Sequence, residues 1–168
     1  MPTTRPVAYL LTGLPCSGKS TYARALERTG VTRLCVDEIL HARHGRPGKD
    51  FPGPDQPALE APIIEEVAAE LVRLLRDGRA VVLDHGLGRR AVRDRYKGLV
   101  TEAGGRWRLV HFQVEHDELR RRLARRNADP AHGVLTTATL DWMIETSEPP
   151  HAEGEEPPDP GLLLGLPR

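Results

Sequence analysis

Apolar residues along this 168-residue chain fall into two recurring patterns. Val7-Ala8-Tyr9-Leu10-Leu11 is a short continuous apolar run closing on Gly13, as a strand covered on both faces would be. Ser20 to Arg28 reads as a helix stopped by Gly30, and Val31 to Val36 as a second strand ending at Asp37. From Leu59 to Arg76 the spacing changes to that of a helix, with Ile63, Val67, Leu71, Leu74 and Leu75 on one stripe and Asp77-Gly78 as the stop. Ala80 to Leu83 is a third apolar run and ends at Asp84. Arg89 to Ala103 is a helix, Trp107 to Val114 a fourth strand, and Asp117 to Asn127 and Thr137 to Thr146 are the last two helices. Strands separated by helices of this length predict βαβ units: an α/β chain with a mostly parallel central sheet and helices on both faces.

Two segments escape both patterns. His41 to Pro57 is rich in proline and glycine and is expected to form a long irregular insertion. Residues 148–168, PPHAEGEEPPDPGLLLGLPR with the preceding Glu148, hold five acids and one base, Arg168. They are expected to sustain neither helix nor strand and to form a mobile or loosely docked tail behind a domain of residues 1–147, with Leu162-Leu163-Leu164 as its one means of docking.

Composition narrows the class. Lys+Arg and Asp+Glu are both 24, so bulk charge gives no drive toward nucleic acid. The few aromatic residues leave little to stack bases on. Two cysteines, Cys16 and Cys35, exclude a disulfide scaffold. The first residues lack the apolar core of a signal peptide, and no stretch has the length of a membrane helix, so a soluble cytoplasmic protein is expected.

Gly13-Leu14-Pro15-Cys16-Ser17-Gly18-Lys19-Ser20 fits G-x-x-x-x-G-K-[ST] at every fixed position, directly after a strand and before a helix. Gly13 and Gly18 let backbone N–H groups close around a polyphosphate, Lys19 supplies an ammonium to its β and γ groups, and the Ser20 hydroxyl can ligate Mg²⁺. The helix that starts here adds its positive end. Cys16 is either a filler in this loop or an oxidisable thiol. The N-K-x-D guanine motif is absent, which favours ATP over GTP.

Asp37 sits at the end of the second strand, at the sheet edge where α/β proteins bind ligands. Its alternative role is to cap a helix opened by Asp37-Glu38-Ile39-Leu40. Asp84 follows four apolar residues, the pattern that sets a carboxylate near Mg²⁺ in P-loop proteins. His85 follows it, and Arg89, Arg90 and Arg93 open the next helix. One of the three is a candidate to point back at phosphate or an acidic substrate group, against the default of a solvated helix face. Leu119 to Arg126 carries five arginines, with Arg122 and Arg126 sharing one face and Arg125 beside them. This too reads as either a phosphate-binding helix or a solvated face.

GLPCSGKST, then VDE after the second strand, then VVLDHG, resembles the small P-loop kinases: zeta toxins, chloramphenicol phosphotransferase, polynucleotide kinase and gluconate-kinase-like proteins. The resemblance spans roughly residues 7–150. It implies a three-layer P-loop fold with an Arg-rich lid helix and transfer of the ATP γ-phosphate to a hydroxyl, with Mg²⁺ as cofactor. Asp37 is then implied as the base that takes the hydroxyl proton. Lid arginines Arg122 and Arg126, with Arg125 next to them, are implied to cover the transferring phosphoryl group. Gly13 through Thr21 would hold the nucleotide, Asp84 would bind metal or substrate, and Asp37, His85 and Arg89 would face the acceptor. The loop Asn127 to Thr136 would flank adenine, and Glu148-Pro149-Pro150 would close the nucleotide site. A small-molecule hydroxyl is the favoured acceptor. A nucleic-acid or nucleotide-sugar hydroxyl, and a slowly hydrolysing nucleotide switch, are the alternatives.

Overall fold

The computed structural model describes residues 4–129, 131 and 135–163. Five strands form one parallel sheet: β1 (Val7–Thr12), β2 (Thr32–Cys35), β3 (Val81–Asp84), β4 (Arg106–His111) and β5 (Glu155–Glu156), in the order β2-β3-β1-β4-β5. The helices are α1 (Lys19–Glu27), α2 (Val36–His44), α3 (Gln56–Arg76), α4 (Arg90–Glu102), α5 (His116–Asn127), α6 (Thr137–Thr146) and α7 (Pro160–Leu163). The α/β class, the parallel sheet and the covered faces agree with the sequence pattern.

The continuous apolar runs are explained by what lies above and below them. Ala8 and Leu10 of β1, Val81 and Leu83 of β3, and Leu109 of β4 face a layer built by α2, α3 and α4. Their neighbours Leu11, Val82 and Val110 face the opposite way, onto Tyr22, Ala23 and Leu26 of α1, with Leu162 of α7 at the margin. Successive side chains point to opposite faces, so a strand buried on both must be apolar throughout. A third cluster joins α5 to α6 through Leu119, Leu123 and Leu140, and Leu14 and Cys16 of the phosphate loop pack against it. The Arg-rich helix is therefore seated on that loop. Because β1 lies between β3 and β4, its carboxyl end opens at the middle of the sheet, where the chain has elements on either side.

Three expectations are corrected. The second strand stops at Cys35, and Val36 already begins α2, so Asp37 lies in the first turn of a helix instead of at a strand end. Two consecutive acids are favourable at the positive end of a helix, and that preference overrides the apolar run. The irregular insertion is correspondingly shorter. Helix α2 runs through His44, a 3-10 turn occupies Gly53–Asp55, and α3 starts at Gln56, with Pro57 in the first turn, where its missing N–H costs nothing.

The third correction concerns residues 148–163, expected to sustain neither helix nor strand and to be mobile or loosely docked; they form β5 and α7. Glu155 and Glu156 pair with Leu109 and Val110 of β4, and the Asp159 N–H donates to the Tyr22 hydroxyl at 3.3 Å. Glu153 is buried against Arg93. Acids that composition marks as solvent-loving are held here by matched cations. Leu162 meets the α1 cluster, while Leu164 and Arg168, like much of the loop expected to flank adenine, lie outside the described residues.

Candidate active site

The loop from Gly13 to Ser20 is shaped by what surrounds it. A Cβ on Gly13 would stand 2.8 Å from Ser17 Oγ and 2.9 Å from the Phe112 carbonyl oxygen, so only glycine fits between β1 and the end of β4. Gly18, with φ +99°, supplies the left-handed turn that starts α1. Cys16 also has a positive φ, 66°, a strained setting for a residue with a side chain. Its carbonyl accepts a hydrogen bond from Arg122 Nη1 at 3.2 Å, and its side chain packs on the α5–α6 cluster. The packing agrees with a filler.

Lys19 folds back over the loop. Its Nζ donates to the carbonyl oxygens of Gly13 at 2.6 Å and Leu14 at 2.9 Å. Burial pushes the ammonium down to about 8, while the carboxylates of Asp84 and Asp37 act in the opposite sense. A third, longer contact runs from Nζ to Ser17 Oγ at 3.5 Å. An ammonium held by neutral dipoles beside two carboxylates is ready to exchange them for phosphate oxygens.

Asp84 ends β3 with its side chain 4% exposed. Its Oδ1 accepts from Ser20 Oγ at 3.2 Å. Its Oδ2 accepts from Nε of Arg33 at 3.0 Å and from Nη2 at 2.7 Å. Arg33 belongs to β2, and its Nη1 also donates to Glu38 Oε1 at 2.9 Å. Ser20 and Asp84, expected on sequence grounds as a metal pair, are thus side by side. Mg²⁺ is commonly held by one or two carboxylates or hydroxyls together with substrate phosphates and water, and the Ser20–Asp84 donor set suits that coordination.

Asp37 is exposed and makes no side-chain capping bond, so the cap reading has no support in the geometry. Its charge reaches Lys19 and His85 across the rim. Burial pushes the His85 imidazole below its ordinary value against the pull of Asp37 and Asp84, keeping the ring neutral near pH 7. Glu60, from the first turns of α3, belongs to the same electrostatic group. Burial and the charge of Asp37 push its carboxyl up.

The arginines divide. Arg122 is brought to the loop and also donates from Nε to Glu118 at 3.1 Å. Arg125 pairs with Glu118 at 3.5 Å and is exposed, and Arg126 is exposed with no ion pair among the described residues. Arg89 is exposed at the start of α4. Arg93, expected either at phosphate or in solvent, does neither. It is buried, pairs with Glu153 and donates from Nη1 to the Leu87 carbonyl at 2.8 Å. Sequence reasoning missed Arg33, Glu60 and Glu153. The only available signal for Arg33 was a cation inside a strand of a buried sheet.

No helix among the described residues is long and apolar enough to cross a membrane. No sequence among curated proteins matches. Solved structures with the same fold include a candidate kinase from Chloroflexus aurantiacus (TM-score 0.71, 20% identity, 90% of this chain and 83% of that one). A gluconokinase from Sinorhizobium meliloti superposes with a TM-score of 0.58 at 19% identity, over 89% of this chain and 79% of its own. The Mycobacterium tuberculosis APS kinase in complex with AMPPNP and APS gives 0.56 at 21%, over 79% and 78%. These likenesses establish a fold shared with small P-loop kinases, as the phosphate loop led us to expect. The model of the AAA domain family matches residues 9–150, from the first strand through Pro150, and the chain belongs to that family.

Proposed function

We propose that the protein is an ATP-dependent kinase that moves the γ-phosphoryl group to a hydroxyl of a small molecule. The observation that carries this reading is the meeting of Lys19, Ser20 and Asp84 at one end of the sheet, with an exposed carboxylate, Asp37, on the same rim. The kinase names of the fold relatives agree with it.

In this reading the amides of Gly13 through Ser20 and the start of α1 receive the triphosphate, with Thr21 close behind. Lys19 gives up the Gly13 and Leu14 carbonyls for phosphate oxygens. Ser20 and Asp84 would hold Mg²⁺, whose chemistry is to neutralise charge on the β and γ groups. Asp37 takes the proton of the acceptor hydroxyl as the new O–Pγ bond forms and the bond from Pγ to the β-bridging oxygen breaks, releasing ADP. Arg122 donates to the Cys16 carbonyl from α5, which supports reading it as the lid arginine that meets the equatorial oxygens. Asp37, His85 and Arg89 would face the acceptor.

The test is a hydroxyl-compound library screened with labelled ATP, followed by Asp37→Ala on the best acceptor. Transfer is expected to fall by at least ~10²-fold, with ATP affinity within about twofold of wild type. Undiminished transfer in that variant would remove Asp37 as base. Absence of any labelled product, together with no uptake of magnesium–ATP, would remove the kinase reading.

A further inference from the structure

We infer that Arg33 is a positioning residue for the metal–nucleotide site: its fork fixes Asp84 so that one carboxylate oxygen is spent inside the protein and the other is turned to Ser20. The inference rests on the proposed magnesium–ATP site and assigns to it a residue outside the phosphate loop.

The geometry is asymmetric. Both Nε and Nη2 of Arg33 donate to the same oxygen, Asp84 Oδ2. The other oxygen, Oδ1, meets only the Ser20 hydroxyl among hydrogen-bonding groups of the described residues. The Arg33 and Asp84 side chains are 6% and 4% exposed. A desolvated pair of this kind is poor value as a source of stability alone, because taking both charges out of water offsets much of their attraction. What it does provide is orientation. With Oδ2 occupied twice, rotation of the carboxylate is blocked and Oδ1 has a single direction to face.

Arg33 also reaches a second element. Its remaining terminal nitrogen, Nη1, donates to Glu38, the neighbour of Asp37 in the first turn of α2. Cys35 pairs with Asp84 across β2 and β3, so Arg33 reaches forward from two residues earlier on the same strand. One side chain thereby ties the end of β3 to the helix that carries Asp37. A lysine has one nitrogen and cannot hold both carboxylates in this way. The charge of Asp84 already acts on Lys19, so a released Asp84 would be drawn toward that ammonium and away from the metal.

Calorimetric titration with ATP, in excess Mg²⁺ and separately in EDTA, tests this on full-length protein, with thermal unfolding alongside. The readout is the factor by which Mg²⁺ tightens ATP binding. Arg33→Met is expected to cut that factor by roughly tenfold, with affinity in EDTA within about twofold of wild type. Arg33→Lys keeps the charge and most of the packing, so it serves if the methionine variant does not fold; it is expected to lose the factor in part. Either folded variant showing the wild-type factor overturns the role of Arg33 and leaves the ATP site standing. A wild-type protein that binds ATP equally in Mg²⁺ and EDTA overturns both.

Discussion

Arg93 and Glu153 face each other across two hydrogen bonds, 2.9 Å from Nε to Oε1 and 2.8 Å from Nη2 to Oε2, with side chains 1% and 3% exposed. The pair stitches the segment after Glu148 to α4, sixty residues earlier in the chain. Arg93 and Thr12 both donate to the Leu87 carbonyl, so the same stitch holds the loop that follows Asp84.

Breaking this pair from one side leaves a buried charge short of its main partner, with Lys97 standing 4.0 Å from Glu153 Oε1 as the remaining cation on that side. Glu153→Ala or Arg93→Ala is therefore expected to lower unfolding free energy by about 3–5 kcal/mol. Urea denaturation measures it, and a loss below about 1 kcal/mol would mean that water enters and takes over the partner's place.

The same pair sets an acid limit. Arg93 holds the Glu153 carboxyl below its ordinary value of 4.5. Its contribution is complete above about pH 4.5 and fades as pH falls toward the lowered folded value, since the unfolded chain then binds more protons than the native one. Wild-type stability should drop below pH 4.5 more steeply than that of Glu153→Gln, as read by melting temperature against pH. Parallel curves would contradict the assignment.

Lys19 predicts a proton linkage of the same sign in an alkaline window. Its folded value, about 8, lies below the ordinary 10.5. Between those values the native protein binds fewer protons here than the unfolded chain, so the nucleotide-free protein gains stability as pH rises through that window. A bound polyphosphate favours the charged ammonium, so ATP binding at pH 8.5 should take up protons. Calorimetry in two buffers of different ionisation enthalpy reads the number directly, and no uptake would place Lys19 away from the phosphates.

Gly13→Ala should weaken ATP binding and cost about 1–3 kcal/mol of stability, because the new methyl group meets the Phe112 carbonyl as well as Ser17. Wild-type affinity in this variant would show that the loop has room the geometry denies.

The sheet and the phosphate loop were legible because each rests on a local pattern: apolar runs at Val7, Ala80 and Trp107, and a motif with fixed spacing. What was not legible depends on contacts distant in sequence. Arg33 reads as an ordinary strand cation until Asp84 is placed 51 residues away against it. Glu153 and Glu155 look like parts of a solvated acidic tail until Arg93 and the edge of β4 are put beside them. Asp37 is singled out by its position at the sheet edge, yet it lies in α2 and not at the end of β2. A helix start and a strand end look alike where Cys35-Val36 runs into two acids.

The last strand has a bearing on handling the protein in concentrated solution. β5 is two residues long, both glutamates, and prolines at 157 and 158 follow at once. A foreign strand seeking to extend the sheet from that margin would find a short row of amides, repelling charge, and a stop with no N–H to offer. That border is blunted against runaway stacking.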